Sequence, residues 1–131
     1  MIVTTDIANI LYRDCESFGI EIVPFGETLI GELSEERITI HVKGQISGKY
    51  WEKCFCEVNL CVPDLEYNVA NAIRLQELEH MANNKFKNGV TGKFDGTTYR
   101  YVKDTVTIEK ETGLKCHFVN VRLLFNVLNT I

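Results

Sequence analysis

The chain lacks the features that would place it outside the ordinary globular proteins. It has only two prolines and no low-complexity tract among its 131 residues, and its 45% apolar content exceeds its 24% charged content, which excludes disorder as the main state. The most apolar stretch, 119–128, is broken by Asn120, Arg122 and Asn126 and falls short of the roughly 20 residues of a membrane span. The N-terminus has no basic region followed by an apolar core. We therefore expect one cytoplasmic domain with no membrane association.

Sequence motifs for catalysis and cofactor binding are also missing. Gly89, Gly92 and Gly96 are not followed by Lys-Ser/Thr and a helix, so they do not form a phosphate-binding loop. Glu77 and His80 stand three residues apart and indicate a solvated helix face rather than a metal site. The net charge of −4 argues against general nucleic-acid binding, which needs a clustered basic excess. The sequence predicts no enzyme activity, no catalytic residue, no cofactor and no specific nucleic-acid binding.

The odd number of cysteines predicts free, buried thiols in a reducing compartment, at Cys15, Cys54, Cys56, Cys61 and Cys116. Cys54 and Cys56 point to the same side of a predicted strand and could converge on a metal ion. Structural zinc knuckles lie in turns, however, so we favour small core residues for this pair. Cys116 and His117 are neighbours on a predicted strand and should face opposite sides, which separates a nucleophile from its base.

Two helices are predicted. The spacing of Ile7, Ile10 and Leu11 places an apolar stripe on a helix over 5–18, which follows possible caps at 4–6 and stops at Gly19. The second helix is predicted over 65–84, where Gly and Pro are absent, with Asp64 as its cap and a broad apolar arc facing a sheet.

Strands are predicted over 20–23, 37–42, 50–62, 90–94, 97–102, 105–108 and 114–128. A turn over 44–48 joins the second and third of these strands, and Asp95-Gly96 marks a hairpin. The segment 26–36 is predicted to be an exposed loop or an edge hairpin. Alternation predicts two rows that each share one face of a strand, one at Cys54, Cys56, Val58, Leu60 and Val62, the other at Val119, Val121, Leu123, Phe125 and Val127. The order predicts an α+β fold: one antiparallel or mixed sheet of about four to six strands with two main helices packed on it, as a single domain over 1–131.

Charge is unevenly distributed along the chain. Residues 1–48 carry three basic and eight acidic side chains, whereas 85–110 carry six basic and three acidic ones. One interpretation is two solvated surfaces. The other is head-to-tail self-association, in which an acidic loop of one subunit meets a basic hairpin of the next. The candidate interface residues are Glu27, Glu32, Glu35 and Glu36 against Lys85, Lys87, Lys93 and Arg100.

The element order resembles the lambda-type tail terminator and tail-completion (minor tail) proteins of long-tailed bacteriophages. The resemblance covers most of the chain. It rests on a capped first helix, a long strand with Tyr50-Trp51-Glu52 at its start, a break at Val62-Pro63-Asp64, a long helix, a hairpin and the final Phe118-Val119-Asn120-Val121-Arg122 strand. The five cysteines depart from the family pattern.

The resemblance implies a structural protein without a catalytic site. Members assemble as a hexameric ring on the last ring of the tail tube, stop its polymerisation and present a surface to the head connector or head-completion protein. The implied partners are therefore copies of the chain itself, a tail-tube protein and a connector protein. The implied location is the host cytoplasm during assembly of a phage or prophage virion, and then the virion tail.

Two other classes stay open at this point. A non-catalytic protein-binding module of a mobile element or secretion apparatus would show the same lack of motifs. A small enzyme or ligand carrier would need a pocket, which aromatic residues could line at Tyr50, Trp51, Tyr99 and Tyr101.

Overall fold

The computed structural model describes residues 2–44, 46–47 and 51–128. These ranges contain two α-helices, α1 (Thr4–Cys15) and α2 (Ala72–Lys85), and one sheet of six strands. The strands are β1 (Arg37–Val42), β2 (Ile46–Ser47), β3 (Trp51–Pro63), β4 (Val90–Phe94), β5 (Thr97–Glu111) and β6 (Cys116–Leu128). The predicted α+β class is confirmed. None of the helices in the described ranges is long and apolar enough to cross a membrane.

The sheet is antiparallel throughout, with the order β1-β3-β6-β5-β4, and β2 pairs with β3 beyond the end of β1. The Asp95-Gly96 hairpin forms as predicted, with both residues at positive φ. The predicted strands over 97–102 and 105–108 are one strand, β5, interrupted by a register shift between Lys103 and Thr105. The predicted turn over 44–48 lies partly outside the described residues.

One face of the sheet is covered by both helices and forms the main core. The two predicted rows of β3 and β6 residues are buried there, and they pack against Ile7, Ile10 and Leu11 of α1. The opposite face, here called the open face, carries a smaller apolar cluster in which Leu33 covers Cys61 and Cys116. The segment 26–36 contains no regular strand, so the loop alternative is correct.

The first helix forms close to its predicted bounds. Asp6 Oδ2 accepts a hydrogen bond from the Val3 N–H at 3.0 Å, which stabilises the first turn. After Cys15 the chain continues as a 3-10 turn, Glu16–Phe18, and leaves the helix at Gly19, whose φ is 72°.

The predicted start of the second helix is wrong. The helix begins at Ala72, and its cap is Asn71, whose Oδ1 accepts from the Arg74 N–H at 3.4 Å. Asp64 does not cap it, because its carboxylate is bound to His117 Nδ1 at 2.6 Å and its side chain is only 4% exposed. The broad apolar arc is also wrong, since the buried α2 positions form a narrow stripe, Leu75, Leu78 and Ala82.

A tight turn occupies the place of the missing helical turns. The Leu65 N–H donates to the Val69 carbonyl at 2.7 Å, which closes the segment on itself. Tyr67 and Asn68 both adopt φ near 61°, a left-handed conformation that a helix does not permit. The absence of Gly and Pro from 65–71 therefore misled the helix prediction.

The predicted strand over 20–23 is wrong as well. Only one parallel bridge forms, between Ile22 and Ile38, where the Val23 N–H donates to Ile38 O at 2.8 Å and the Ile38 N–H donates to Glu21 O at 2.9 Å. Pro24 then begins a turn closed by the Glu27 N–H at 3.1 Å. Because this turn carries the chain away from β1, no second pair of backbone hydrogen bonds can form between this segment and β1.

Candidate self-association surfaces

The sheet order places the acidic and basic candidate residues at opposite edges. The four glutamates lie on the loop that leads into β1, an end strand, and this loop is attached by the Leu33 N–H, which donates to Leu114 O at 2.8 Å. The four basic residues lie on β4, the other end strand, on the neighbouring part of β5, and at the junction between α2 and β4. The structure therefore does not bring the two sets together within one chain.

The acidic residues differ in how far they are already paired. Glu36 accepts two hydrogen bonds from Arg74, at 2.7 and 2.9 Å, and these bonds raise the pKa of the Arg74 guanidinium. Glu35 accepts from Arg37 at 3.2 Å. Glu32 lies 3.9 Å from Lys115, at a solvent-exposed site where such a pair contributes little.

Glu27 is the unpaired member of the acidic set. It is exposed, and within the described ranges its carboxylate has no hydrogen bond or ion pair. A carboxylate in this state can accept a cation from another molecule without first giving up an internal partner. Glu27 is therefore the strongest acidic candidate for an intermolecular contact.

The basic residues also differ in how far they are already paired. Lys85 Nζ donates to Ser17 Oγ at 2.7 Å and lies 5.7 Å from the centre of the Phe18 ring. Arg100 donates to Thr91 Oγ1 at 2.9 Å and to a loop carbonyl at 3.2 Å. Lys87 and Lys93 are exposed, and no anionic partner is found for either among the residues described.

A cleft of about 880 Å³ lies between the loop over 23–31 and the open face of the sheet. Leu29, Ile30 and Phe118 supply apolar walls, and Thr39 and His41 supply polar groups from β1. A smaller cavity of about 270 Å³ lies on the helix-covered side, between α1 and the turn that begins at Pro24.

The Cys54 and Cys56 thiols point to the same side, as predicted, with their sulfur atoms 4.0 Å apart. Both are buried in the main core. The hydrogen bond to Cys54, together with burial, raises the pKa of Cys56 well above its ordinary value. No group of three or more His, Cys, Asp or Glu side chains is placed to hold a metal ion in the part of the chain that the structure describes. The arrangement is that of small core residues.

Cys116 and His117 face opposite sides of β6, as predicted. Cys116 is buried beside Cys61 on the open face, whereas His117 binds Asp64. Burial raises the pKa of the Cys116 thiol to about 11, which keeps it protonated near neutral pH. The two side chains therefore do not form a nucleophile and base.

Two of the aromatic candidates for a pocket lie in the core instead. Tyr101 donates to Asp14 Oδ2 at 2.7 Å, and the Tyr99 hydroxyl accepts from Arg13 at 2.9 Å. Both rings stack on Phe125, with centroids 5.4 and 5.3 Å away. Tyr50 and the Trp51 side chain lie outside the described residues.

The cleft and the outer edge of β1 beside it are not among the sites predicted from the sequence. The available signal was Pro24 directly after Ile22-Val23, because a proline at that point prevents a covering strand from continuing. Comparison with known proteins adds no relative: no protein-family model matches this chain, and no curated protein matches it in a sequence search.

Proposed function

We propose that this chain is a structural subunit that associates head to tail with copies of itself. The observation that carries the proposal is the position of three charges that have no partner within the described part of the chain: Glu27 lies beside one end strand of the sheet, and Lys87 and Lys93 lie at the other. A contact between two different surfaces of identical subunits is heterologous, and it closes into a ring when the rotation between subunits permits. Opposite charges on the two surfaces favour this pairing over like-with-like contacts.

The proposed role of the ring is that of a phage or prophage tail terminator. In this role it binds the last ring of the tail-tube protein, stops polymerisation of the tube and forms the joining surface for the head connector. The support is the order of elements, which the resemblance shares: a first helix, a long strand ending at Pro63, a second helix, a hairpin and a long final strand. Assembly in the host cytoplasm and residence in the virion tail belong to the same proposal.

The charge contacts by themselves predict weak association. An exposed ion pair contributes about 0.2–1 kcal/mol, and salt screens it over a Debye length of about 8–10 Å. The contacts of one carboxylate with two lysines at each interface are therefore too weak to hold a ring at low protein concentration. We expect self-association that rises with protein concentration, falls with ionic strength and is completed on a tube end.

Multi-angle light scattering over a range of concentrations, at low and high ionic strength, tests the proposal. Wild-type protein is expected to show a mass above that of the monomer at high concentration and low salt. Glu27→Lys and Lys93→Glu should each reduce it, and an equimolar mixture of the two variants should recover mixed contacts. Glu16→Lys, on an exposed position at the end of α1, is the control for the change in net charge.

The refuting results are specific. A monomer at every concentration and salt, with no rings in electron micrographs with or without tail tubes, overturns self-association. Association that persists unchanged in both charge reversals retains self-association but overturns the charge pairing. Rings that form without binding tube ends overturn the tail-terminator role alone.

The cleft supports a second candidate function, that of a small-ligand carrier. Its volume of about 880 Å³ lies in the range of ligand pockets, and it combines apolar walls with the polar groups of Thr39, His41 and Asn59. Native mass spectrometry of protein purified from its expression host tests this candidate. A stoichiometric adduct that is lost in Asn59→Leu would favour it, whereas mass peaks of the bare chain alone would count against it.

A further inference from the structure

Strand β1 has backbone groups that nothing in the described chain binds. Odd-numbered positions face β3, as the 2.9 Å bond from the Lys43 N–H to Phe55 O shows, so the N–H and C=O groups of even-numbered positions face outward. At Ile38 the outward groups bind Glu21 and Val23. At Ile40 and Val42 they have no backbone partner in residues 2–44, 46–47 and 51–128.

The unpaired stretch of β1 lies between the two cavities. Ile40 lines both of them: the cleft of about 880 Å³ on the open face and the cavity of about 270 Å³ on the helix-covered side. In a strand added to this edge, successive side chains would point alternately into the two cavities. The edge therefore has the backbone donors, the acceptors and the side-chain space that strand addition requires.

The other end strand of the sheet, β4, also has outward-facing backbone groups without a partner among the described residues. The two-residue turn makes Phe94–Thr97 a hydrogen-bonded pair, so Gly92 and Val90 also bond to β5, and the backbone groups of Thr91 and Lys93 face outward. No backbone partner for these two residues occurs in the described ranges. The side chains of Thr91 and Lys93 lie on the open face, whereas Val90 and Phe94 pack toward the main core.

We propose that β4 of one copy adds to the outward edge of β1 in the next copy, so that the sheet continues across the subunit boundary. This inference rests on the proposed self-association and specifies its backbone contact. In a continuous sheet the open faces of the two subunits lie on the same side. Lys93 then projects toward the cleft on the open face, whose lining includes Glu27 and Glu111, and also Lys43, which is already 3.7 Å from the Glu57 carboxylate. Charge complementarity therefore favours β4 of a second copy over an unrelated peptide as the occupant.

Amide hydrogen exchange measured residue by residue tests the contact in the wild-type chain. The amides of Ile40, Val42, Thr91 and Lys93 should exchange at least about tenfold more slowly in associated than in dilute protein. The Ile38 amide, already bonded to Glu21 O at 2.9 Å, should change much less and serves as the internal reference. Equal exchange of the four amides in associated and dilute protein overturns the inference.

A backbone substitution gives the second measurement. Thr91→Pro removes an outward N–H without removing a bond to β5, and edge strands tolerate proline. We expect it to weaken association about tenfold or more, whereas Thr91→Val, which keeps the N–H and loses the same hydroxyl, should associate like wild type. If the proline variant does not fold, the exchange measurement on wild-type protein decides alone.

Different results overturn the proposed self-association and the proposed β4–β1 contact. Protein that stays monomeric under all conditions removes the proposed function and this contact together. Protein that associates, depends on Glu27 and Lys93, and shows fast exchange at the four amides retains the proposed function and excludes sheet continuation. Slow exchange of Ile40 and Val42 with unchanged Thr91 and Lys93 would indicate a different occupant of the β1 edge and also overturns the inference.

Discussion

Replacement of Gly92 by alanine should destabilise the protein through a single steric conflict. A Cβ atom at this position of β4 would lie 2.5 Å from the Tyr99 hydroxyl oxygen and 2.7 Å from Tyr99 Cζ. The phenol ring cannot move aside easily, because it is 2% exposed and stacks on Tyr101 and Phe125, and its hydroxyl accepts a hydrogen bond from Arg13 at 2.9 Å.

The magnitude follows from these contacts. Overpacking of a filled core costs about 1–3 kcal/mol, and loss of the Arg13–Tyr99 hydrogen bond adds about 1 kcal/mol. The lower backbone entropy of alanine in the unfolded chain offsets about 0.4–1 kcal/mol. We therefore expect the free energy of unfolding to fall by about 1–3.5 kcal/mol in Gly92→Ala, with a central value of about 2 kcal/mol.

Urea unfolding followed by near-ultraviolet circular dichroism measures the effect. The transition midpoint should fall by about 1 M or more, with an unchanged slope, since m is about 1–3 kcal/mol per molar urea for small proteins. Gly44→Ala is the matched control, because a Cβ at Gly44 meets no atom within 4 Å, and it should stay within about 0.5 kcal/mol of wild type. A midpoint for Gly92→Ala equal to that of wild type would refute the reasoning.

Two further predictions concern charge and pH. Glu36→Gln should lower the free energy of unfolding by about 1–2 kcal/mol, because it weakens the bonds to Arg74, and should leave light-scattering mass unchanged; a dissociated variant would contradict this. Burial raises the pKa of Cys15 and Cys61 to about 12 and that of Cys116 to about 11, from 9.0. As the pH rises, the thiols of the unfolded chain therefore lose their protons before those of the folded chain do. The free energy of unfolding should then fall above pH 9, by about 1.4 kcal/mol for each thiol and each pH unit. Thermal unfolding between pH 7 and 10 checks it, and a transition temperature that does not fall above pH 9 would count against it.

Local patterns predicted the elements whose stability is decided within a few residues. The alternation from Cys54 to Val62 produced a strand with the expected buried face, because side-chain direction has a period of two in any strand. Asp95-Gly96 formed the hairpin, because both residues tolerate positive φ. The first helix followed its apolar spacing and stopped at Gly19 for the same conformational reason.

The errors occurred where a distant residue decides a local conformation. Asp64 was available as a helix cap by its type and position, but His117, which lies 53 positions further along the chain, binds its carboxylate instead. The pairing of Glu36 with Arg74 depends in the same way on a residue 38 positions further along the chain. Neither partner is visible in a local window of sequence.

The sequence by itself therefore determined the α+β class, the strand faces, the free buried thiols and the uneven distribution of charge along the chain. Only the tertiary structure decided where those charges lie in space: at opposite edges of one sheet, with Glu27, Lys87 and Lys93 unpaired among the residues described. It also decided the strand order, which leaves β1 and β4 at the two edges of the sheet. The physical reason is that hydrophobic periodicity is a property of neighbouring residues, whereas charge pairing and edge exposure depend on contacts between residues far apart in the chain.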